Sequence, residues 1–326
     1  MKTKILRMLR ETKQFVSGQD LCERLGVSRT AVWKVIKQLR EEGYQIEAIQ
    51  NKGYYIASYP ENFSESEIGS SLSENTFIQS IYEYLEIDST NRQAKKLAEE
   101  GATNGTLIIA NKQNQGKGRR GRHWEMEGGT AIAMSLILKP DIMPNIASML
   151  TLVMGMSILE ACQKTLAVEA QIKWPNDVLV NSKKVCGILT EMSAEIDYVN
   201  YIIIGVGINV NGTSFSSELE NKAISLKMAT GKQVNRSELT VSILEKFQKN
   251  YQVFLEAGNV QFLMKQYNAN LAGINNKVRV LNLGTEYIGT SLGINERGEL
   301  LVEGSDGVRH TVYSGEVSVR GMDGYI

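Results

Sequence analysis

Residues 173–189, KWPNDVLVNSKKVCGIL, decide how the middle of the chain folds. DVLV (177–180) reads as a strand, Asn181-Ser182 as a two-residue turn, and the run from Lys184 as a strand returning antiparallel. Pro175 fixes the entry, and Asp177 and Lys184 then fall within one sheet layer. A lysine alternating with apolar neighbours on such a strand is drawn partly inward, where it becomes a fixed charge for a carboxylate or phosphate. Read alone, Asp177 and Lys184 are better explained as a structural ion pair than as catalysts.

Outward from this hairpin, strand-like runs alternate with helical ones. LIIAN (107–111), TAIAMSLIL (130–138), KVCGILTEMS (184–193) and YVNYIIIGVGINV (198–210) read as strands, and 91–100, 146–164 and 237–257 as helices. A second hairpin is expected around 195–197. The sheet is therefore mixed, an α+β layer rather than a doubly wound parallel one. From about residue 275 the pattern changes to short strands broken by glycines (KVRVL, TEYIGTSLGI, GELLVEG, VRHTVYSGEVSVR), which suggests a small barrel or roll.

The 326 residues allow two or three domains, and 42% hydrophobic with 22% charged residues is globular usage that excludes a disordered chain. Three cysteines and two histidines, widely spaced, exclude a disulfide framework and a Cys/His zinc site and point to a reducing cytoplasm. The opening MKTKILRMLRETK is charged throughout, so no export signal is expected. The uncharged stretch 142–159 contains Pro144, Asn145, Ser148, Thr151 and Ser157 and reads as a buried helix, not a membrane span.

Equal numbers of acidic and basic groups, 36 each, hide an asymmetry: residues 1–60 hold eleven Lys/Arg against six Asp/Glu. A basic head suits a polyanion. Its pattern is three helices, the second over 18–25 and ending at Gly26, the third capped by Ser28, followed by the hairpin YQIEAIQ–Asn51-Lys52-Gly53–YYIAS. This is a winged helix-turn-helix, with Gly18, Ser28, Arg29, Thr30, Trp33, Lys34 and Lys37 as candidates for the DNA side. A polar, serine-rich stretch, 58–73, is read as the linker to the next domain.

Two further stretches carry chemistry. The segment 113–124, QNQGKGRRGRHW, has three glycines, Lys117, Arg119, Arg120 and Arg122, and no acid. Such a loop stays mobile until an anion neutralises it, while its glycines let backbone approach closely and its arginines offer paired donors. It is a ligand lid or a basic nucleic-acid arm, and its place between two core strands favours the lid. Its spacing is not that of a Walker A loop. Gly205-Val-Gly-Ile-Asn209 ends a buried strand with no helix clearly following, so a dinucleotide fold is excluded and a strand end near a ligand remains.

Taken together, Ser89-Thr90-Asn91, GKGRRGRHW, KWPND, KKVCGIL, GVGINV and the terminal GEVSVR resemble biotin–protein ligases, and with the winged helix-turn-helix in front the resemblance is to the bifunctional ligase and biotin-operon repressors. It covers essentially the whole chain. It implies a multidomain α+β protein: a DNA-binding domain at 1–60, a catalytic domain at 66–272 similar in fold to class II synthetases, and an SH3-like domain at 273–326. The implied reaction joins biotin to ATP with Mg²⁺, giving biotinyl-5′-AMP, and passes biotin to a lysine of a carboxyl carrier protein. The implied metal ligands are unknown. Ser89, Thr90, Asn91, Gln113, Lys117, Gly118, Arg119 and Lys184 would contact biotin. Arg120, Arg122, Trp124, Asn176, Asn209 and Arg320 would lie near the nucleotide, Trp124 as a surface for adenine. Arg119, Asp177 and Lys184 would be catalytic, Asp177 helping to activate the acceptor lysine. A liganded homodimer would bind operator DNA of biotin genes.

The sequence departs from the family at 125–129 (EMEGG), where a Ser-Pro pair is usual, and at 211–222, which lacks a common proline. Both bear on loop ordering and dimer contacts. The alternatives are a sensor that binds biotin without catalysis and a ligase for another acid such as lipoate.

Overall fold

The structure is a computed structural model that describes residues 1–282, 285–314 and 318–321. It divides into two compact units, residues 1–75 with 235–241, and residues 76–234 with 242–326.

In the first unit, α1 (Lys2–Thr12), α2 (Gly18–Leu25) and α3 (Arg29–Glu41) are followed by the hairpin of β1 (Gln45–Ile49) and β2 (Gly53–Ser58). Ser17 and Ser28 accept hydrogen bonds from the amides of Asp20 and Ala31, capping α2 and α3. Gly26 closes α2 with φ 64°. Ile5, Leu6, Leu9, Leu21, Val32, Val35, Ile36 and Leu39 form the core between the helices. The winged helix-turn-helix is therefore as expected.

The stretch 58–73 is not a linker. Within it lies α4 (Glu65–Ser71), which packs on α1: Arg10 Nη2 meets Glu67 Oε1 at 2.6 Å, Arg7 donates to the Gly69 carbonyl at 2.6 Å, and Tyr44 donates to Glu67. Ser64 caps the helix by accepting from the Glu67 amide at 3.3 Å. The helix buries Ser66, Glu67 and Ser70 alongside Ile68, so hydrogen bonds and an ion pair hold it where the sequence offers little apolar surface. The unit consequently runs to Asn75.

The second unit is built on β3 (Ser80–Tyr84), β4 (Thr106–Ala110), β7 (Ala131–Leu138), β8 (Ala170–Lys173), β9 (Asp177–Val180), β10 (Lys183–Ala194) and β11 (Val199–Asn209). Their order is β3-β4-β7-β11-β10-β9-β8, with only β3 and β4 parallel, so the sheet is mixed as expected. Sequence reading missed β3, β8 and α9 (Gln261–Ala269); β3 is a half-exposed edge strand whose Tyr and Glu letters give no clean alternation. Two short strands, β5 (Gly116–Lys117) and β6 (His123–Trp124), pair at the root of the basic loop. α5 (Thr90–Glu99) covers β4, β7 and β11, and α6 (Leu150–Leu166) packs against β8, β9 and β10. Residues Pro144–Leu166 are long and apolar enough to cross a membrane, with mean hydropathy 1.5, yet 78% of that window is buried, which makes α6 a core helix. α7 (Leu226–Thr230) and the long α8 (Arg236–Ala257) lead to α9.

The chain ends in a five-stranded antiparallel sheet, ordered β15-β14-β13-β12-β16. Its strands are β12 (Lys277–Asn282), β13 (Thr285–Ile294), β14 (Leu300–Gly304), β15 (Arg309–Val312) and β16 (Ser318–Gly321). Gly315, Glu316 and Val317 of the GEVSVR segment lie outside the described residues. Trp174 Nε1 donates to the Gly298 carbonyl at 3.0 Å, tying this sheet to the KWPND segment.

Leu107 is fully buried in β4, next to Ile108, which packs with Ala94 and Ala98 of α5 on the other face of the sheet. Leu107→Ala is expected to cost about 3 kcal/mol of stability, read as a lowered urea midpoint with unchanged slope.

Candidate active site

The site is laid on the centre of the large sheet. Gly205 of β11 pairs with Ser135 of β7 and Leu189 of β10, and Gly207 pairs with Ala133 and Gly187. A Cβ at 205 would stand 2.0 Å from Asn91 Oδ1, and one at 207 would stand 2.5 Å from the Trp124 ring. Only glycine at both positions lets these two side chains lie flat on the strand. The GVGIN signal, weak by itself, thus marks a platform.

At one end of the platform, Ser89 caps α5 and the helix presents Thr90 and Asn91 in its first turn. Thr90 donates from its amide and its hydroxyl to Gln113 Oε1, at 2.8 and 3.1 Å. At the other end stands charge. Lys184 Nζ lies 2.7 Å from Asp177 Oδ1 and 5.8 Å above the Trp124 ring. A bulge between Lys184 and Cys186 shifts the register against β9. The Lys184 backbone also bonds to residues 222 and 224, so the loop before α7 is fastened beside the lysine.

Arg119 donates to Asn176 Oδ1 at 2.9 Å and to the Ser314 carbonyl at 3.0 Å. Burial lowers the pKa of its guanidinium, and Asp177 opposes that shift. Lys173 faces Asp177 across the β8–β9 pair and lines a cleft with Arg320 of the C-terminal sheet. Burial brings the Lys173 ammonium down to about 8, and the cations Lys184, Arg320 and Arg122 push the same way against Asp177. Among the described residues, five cations thus gather around Asp177, an arrangement that suits an incoming polyanion. Lys173 was not among the residues singled out, although KWPND contains it; the alternation of that segment was the available signal.

One pocket brings together Ser89, Thr90, Asn91, Gln113, Lys117, Gly118, Arg119, Trp124, Asn176 and Lys184. Trp124, expected against adenine, therefore stands among the residues expected for biotin. Arg120 lines an adjoining cavity with Arg119 and Asn176, Arg122 is exposed, and Asn209 ends β11 opposite Ala131. Sequence reading also missed Ser135 and Glu191, which stand behind the pocket.

In the first unit, Arg29, Thr30, Trp33, Lys34 and Lys37 are all exposed on α3, opposite its buried Val32, Val35, Ile36 and Leu39. Trp33 is 55% exposed, with Lys37 Nζ 5.9 Å from its ring centre. Gly18 and Ser28 have structural places, at the start of α2 and at the cap of α3.

Residues 84–209 match the biotin/lipoate A/B protein ligase family, residues 2–55 a helix-turn-helix domain, and residues 273–320 the biotin protein ligase C-terminal domain. The chain is 41% identical to the bifunctional ligase/repressor BirA of Bacillus spizizenii over 94% of each protein. It belongs to the biotin protein ligase family. Within that family the ligase/repressor BirA of Escherichia coli is 29% identical over 95% of this chain and 94% of its own. The structure of the Aquifex aeolicus biotin protein ligase in complex with biotin and ATP superposes with a TM-score of 0.66 at 29% identity, covering 75% of this chain and all of that one. In this biotin protein ligase, then, most of the central sheet lies within the ligase-family match and the first unit holds the helix-turn-helix match.

The displaced Lys173 has a measurable consequence. Its ammonium deprotonates near 8 in the folded chain and near 10.5 when unfolded, so between those values the unfolded chain holds more protons and stability rises with pH. Lys173→Met is expected to flatten this rise, read as the change in urea midpoint between pH 8 and pH 10.

Proposed function

We propose that the platform pocket holds biotin with its ureido ring at Ser89, Thr90 and Gln113 and its carboxylate at Lys184. ATP would lie over the cations beyond. The observation that carries this reading is the Lys184–Asp177 pair, 2.7 Å apart at the charged end of a pocket whose other end is lined by hydrogen-bonding side chains. The protein is an ATP-dependent biotin ligase and a DNA-binding repressor.

The residues divide the work by chemistry. Lys184 brings the biotin carboxylate and the α-phosphate together, where two anions would otherwise repel. Arg119, already oriented by Asn176 and Ser314, stabilises the negative charge that gathers as carboxylate oxygen bonds to phosphorus and pyrophosphate leaves. Lys173, Arg122 and Arg320 draw in the triphosphate tail. Trp124 walls the pocket beside the thiophane ring, and Lys117 and Gly118 close over it. This keeps water from an acyl adenylate that hydrolyses when wetted. In the second step the ε-amine of an acceptor lysine attacks the acyl carbon and AMP leaves, with Asp177 taking up the amine's proton.

Mg²⁺ has no built cage here. Among the described residues no three or more His, Cys, Asp or Glu side chains stand together, and Asp177 is held by Lys184. A resident ion does not fit this donor set, and Mg²⁺ enters as part of the triphosphate substrate.

The acceptor is a lysine on a carboxyl carrier domain. The repressor acts in the cytoplasm as a liganded homodimer, setting two α3 helices into the two halves of a palindromic operator. The edge of β10 supports such association: past residue 188 it pairs only with β11 among the described residues, and Met192 there is exposed.

The test is ATP-dependent transfer of labelled biotin to a carrier domain. The wild type labels the carrier, while Lys184→Ala and Arg119→Ala each fall by about 100-fold or more in kcat/KM. Tight biotin binding without any transfer would favour the sensor. On the DNA side, Lys34→Ala is expected to weaken binding to all sequences alike and to reduce the salt slope by about one.

A further inference from the structure

Behind the hydrogen-bonding end of the pocket, side chains form a chain of bonds whose directions are forced. Asn91 Nδ2 donates to Glu191 Oε2 at 2.6 Å and to the Leu189 carbonyl at 3.3 Å. Both partners only accept, so the amide oxygen must point the other way. Ser135 Oγ lies 2.6 Å from that oxygen and 2.8 Å from Thr90 Oγ1. An amide oxygen has no proton to give, so the Ser135 hydrogen goes to Asn91. The single hydroxyl hydrogen of Thr90 then has two protein acceptors, Ser135 Oγ and Gln113 Oε1, and its free lone pair is left for the pocket. Gln113 lines the pocket with its oxygen engaged by Thr90, which leaves Nε2 as the group it can offer a ligand.

We infer that Ser135 and Glu191 are positioning residues that set the hydrogen-bond polarity of the pocket through Asn91, so that Thr90 accepts from the ligand and Gln113 donates to it. This rests on the reading above that a cyclic urea binds at this end. A urea offers N–H donors on both sides of one carbonyl. Thr90 takes an N–H, and Gln113 gives to the carbonyl together with Ser89, whose oxygen already accepts the Arg92 amide. Asn91 is thereby an internal strut. Its amide is held in the sheet over Gly205, its oxygen on fully buried Ser135 and its nitrogen on Glu191. Glu191 is exposed, so the network runs from a solvent-facing carboxylate to the ligand through buried side chains. A buried polar chain of this kind discriminates strongly, because a ligand of the wrong polarity leaves its groups unpaired.

The experiment compares dissociation constants of biotin and 2-iminobiotin, measured by calorimetry on the full chain. The guanidinium of iminobiotin puts N–H donors where biotin has its carbonyl, so it faces Gln113 and Ser89 with like polarity. The wild type is expected to prefer biotin, and that preference should shrink about tenfold in Ser135→Ala and measurably in Glu191→Gln, with Ser135→Thr retaining it. Because Glu191 is exposed, Glu191→Gln reads the effect without a threat to folding. An unchanged ratio in both variants, or weakening of the two ligands in proportion, overturns the inference while leaving the binding site intact. A folded wild type that binds neither ligand overturns the reading of the pocket, and the inference with it.

Discussion

Two side chains can rest on the middle of the large sheet because β11 has no Cβ at 205 or 207. Asn91 comes from the first turn of α5 and Trp124 from the end of the basic segment, and both come down onto that one strand. The start of α5 is thereby held close to the sheet, with Thr90 at a fixed height over Ser135. The return of the basic segment is anchored at its Trp124 end, and Arg119 within it is held by Asn176 and Ser314. Both ends of the pocket are thus referred to one rigid surface, and reacting groups need that kind of precision.

Charge follows from the hairpin next to this surface. β8, β9 and β10 line up Lys173, Asp177 and Lys184 on neighbouring strands, and Arg119, Arg122 and Arg320 arrive from other parts of the chain. Burial depresses the basicity of Lys173 and Arg119, the neighbouring cations add to the depression, and Asp177 opposes it. A site under such tension binds an anion more tightly than it would if its charges were already matched. In the arginine-rich segment the Asn176 amide and the Ser314 carbonyl help to hold the Arg119 guanidinium.

Much of this was legible in the sequence where the signal was local. The helix-turn-helix announced itself through caps, a Gly26 break and apolar spacing, and the hairpin at 181–182 placed Asp177 beside Lys184 from turn chemistry alone. What stayed hidden depended on long-range pairing. Ser135 reads as one polar letter in an apolar strand, and its meaning comes from Asn91, far away in the chain. Glu191 looks like surface on a hairpin arm, and the spacing of charges gives no hint that its oxygen reaches an amide under the ligand. Trp124 sits in a basic run, and nothing local in the sequence shows that its ring rests on the strand at Gly207. In the head, the Ser64-to-Glu67 capping spacing was visible, but in a serine-rich stretch whose helix buries one large apolar side chain, Ile68, it carried no weight against the look of a linker.

That short helix bears on how the DNA-binding part can be cut out. Central to its hold on the three-helix core is one carboxylate, Glu67, shared by Arg10 and Tyr44. A fragment ending at residue 60 keeps every helix and strand of the winged fold yet strips a guanidinium and a phenol of their common acceptor. It also leaves the Arg7 donor without the Gly69 carbonyl. A fragment carried through to residue 75 retains the clasp, so the stretch that holds the head together is longer than its motif.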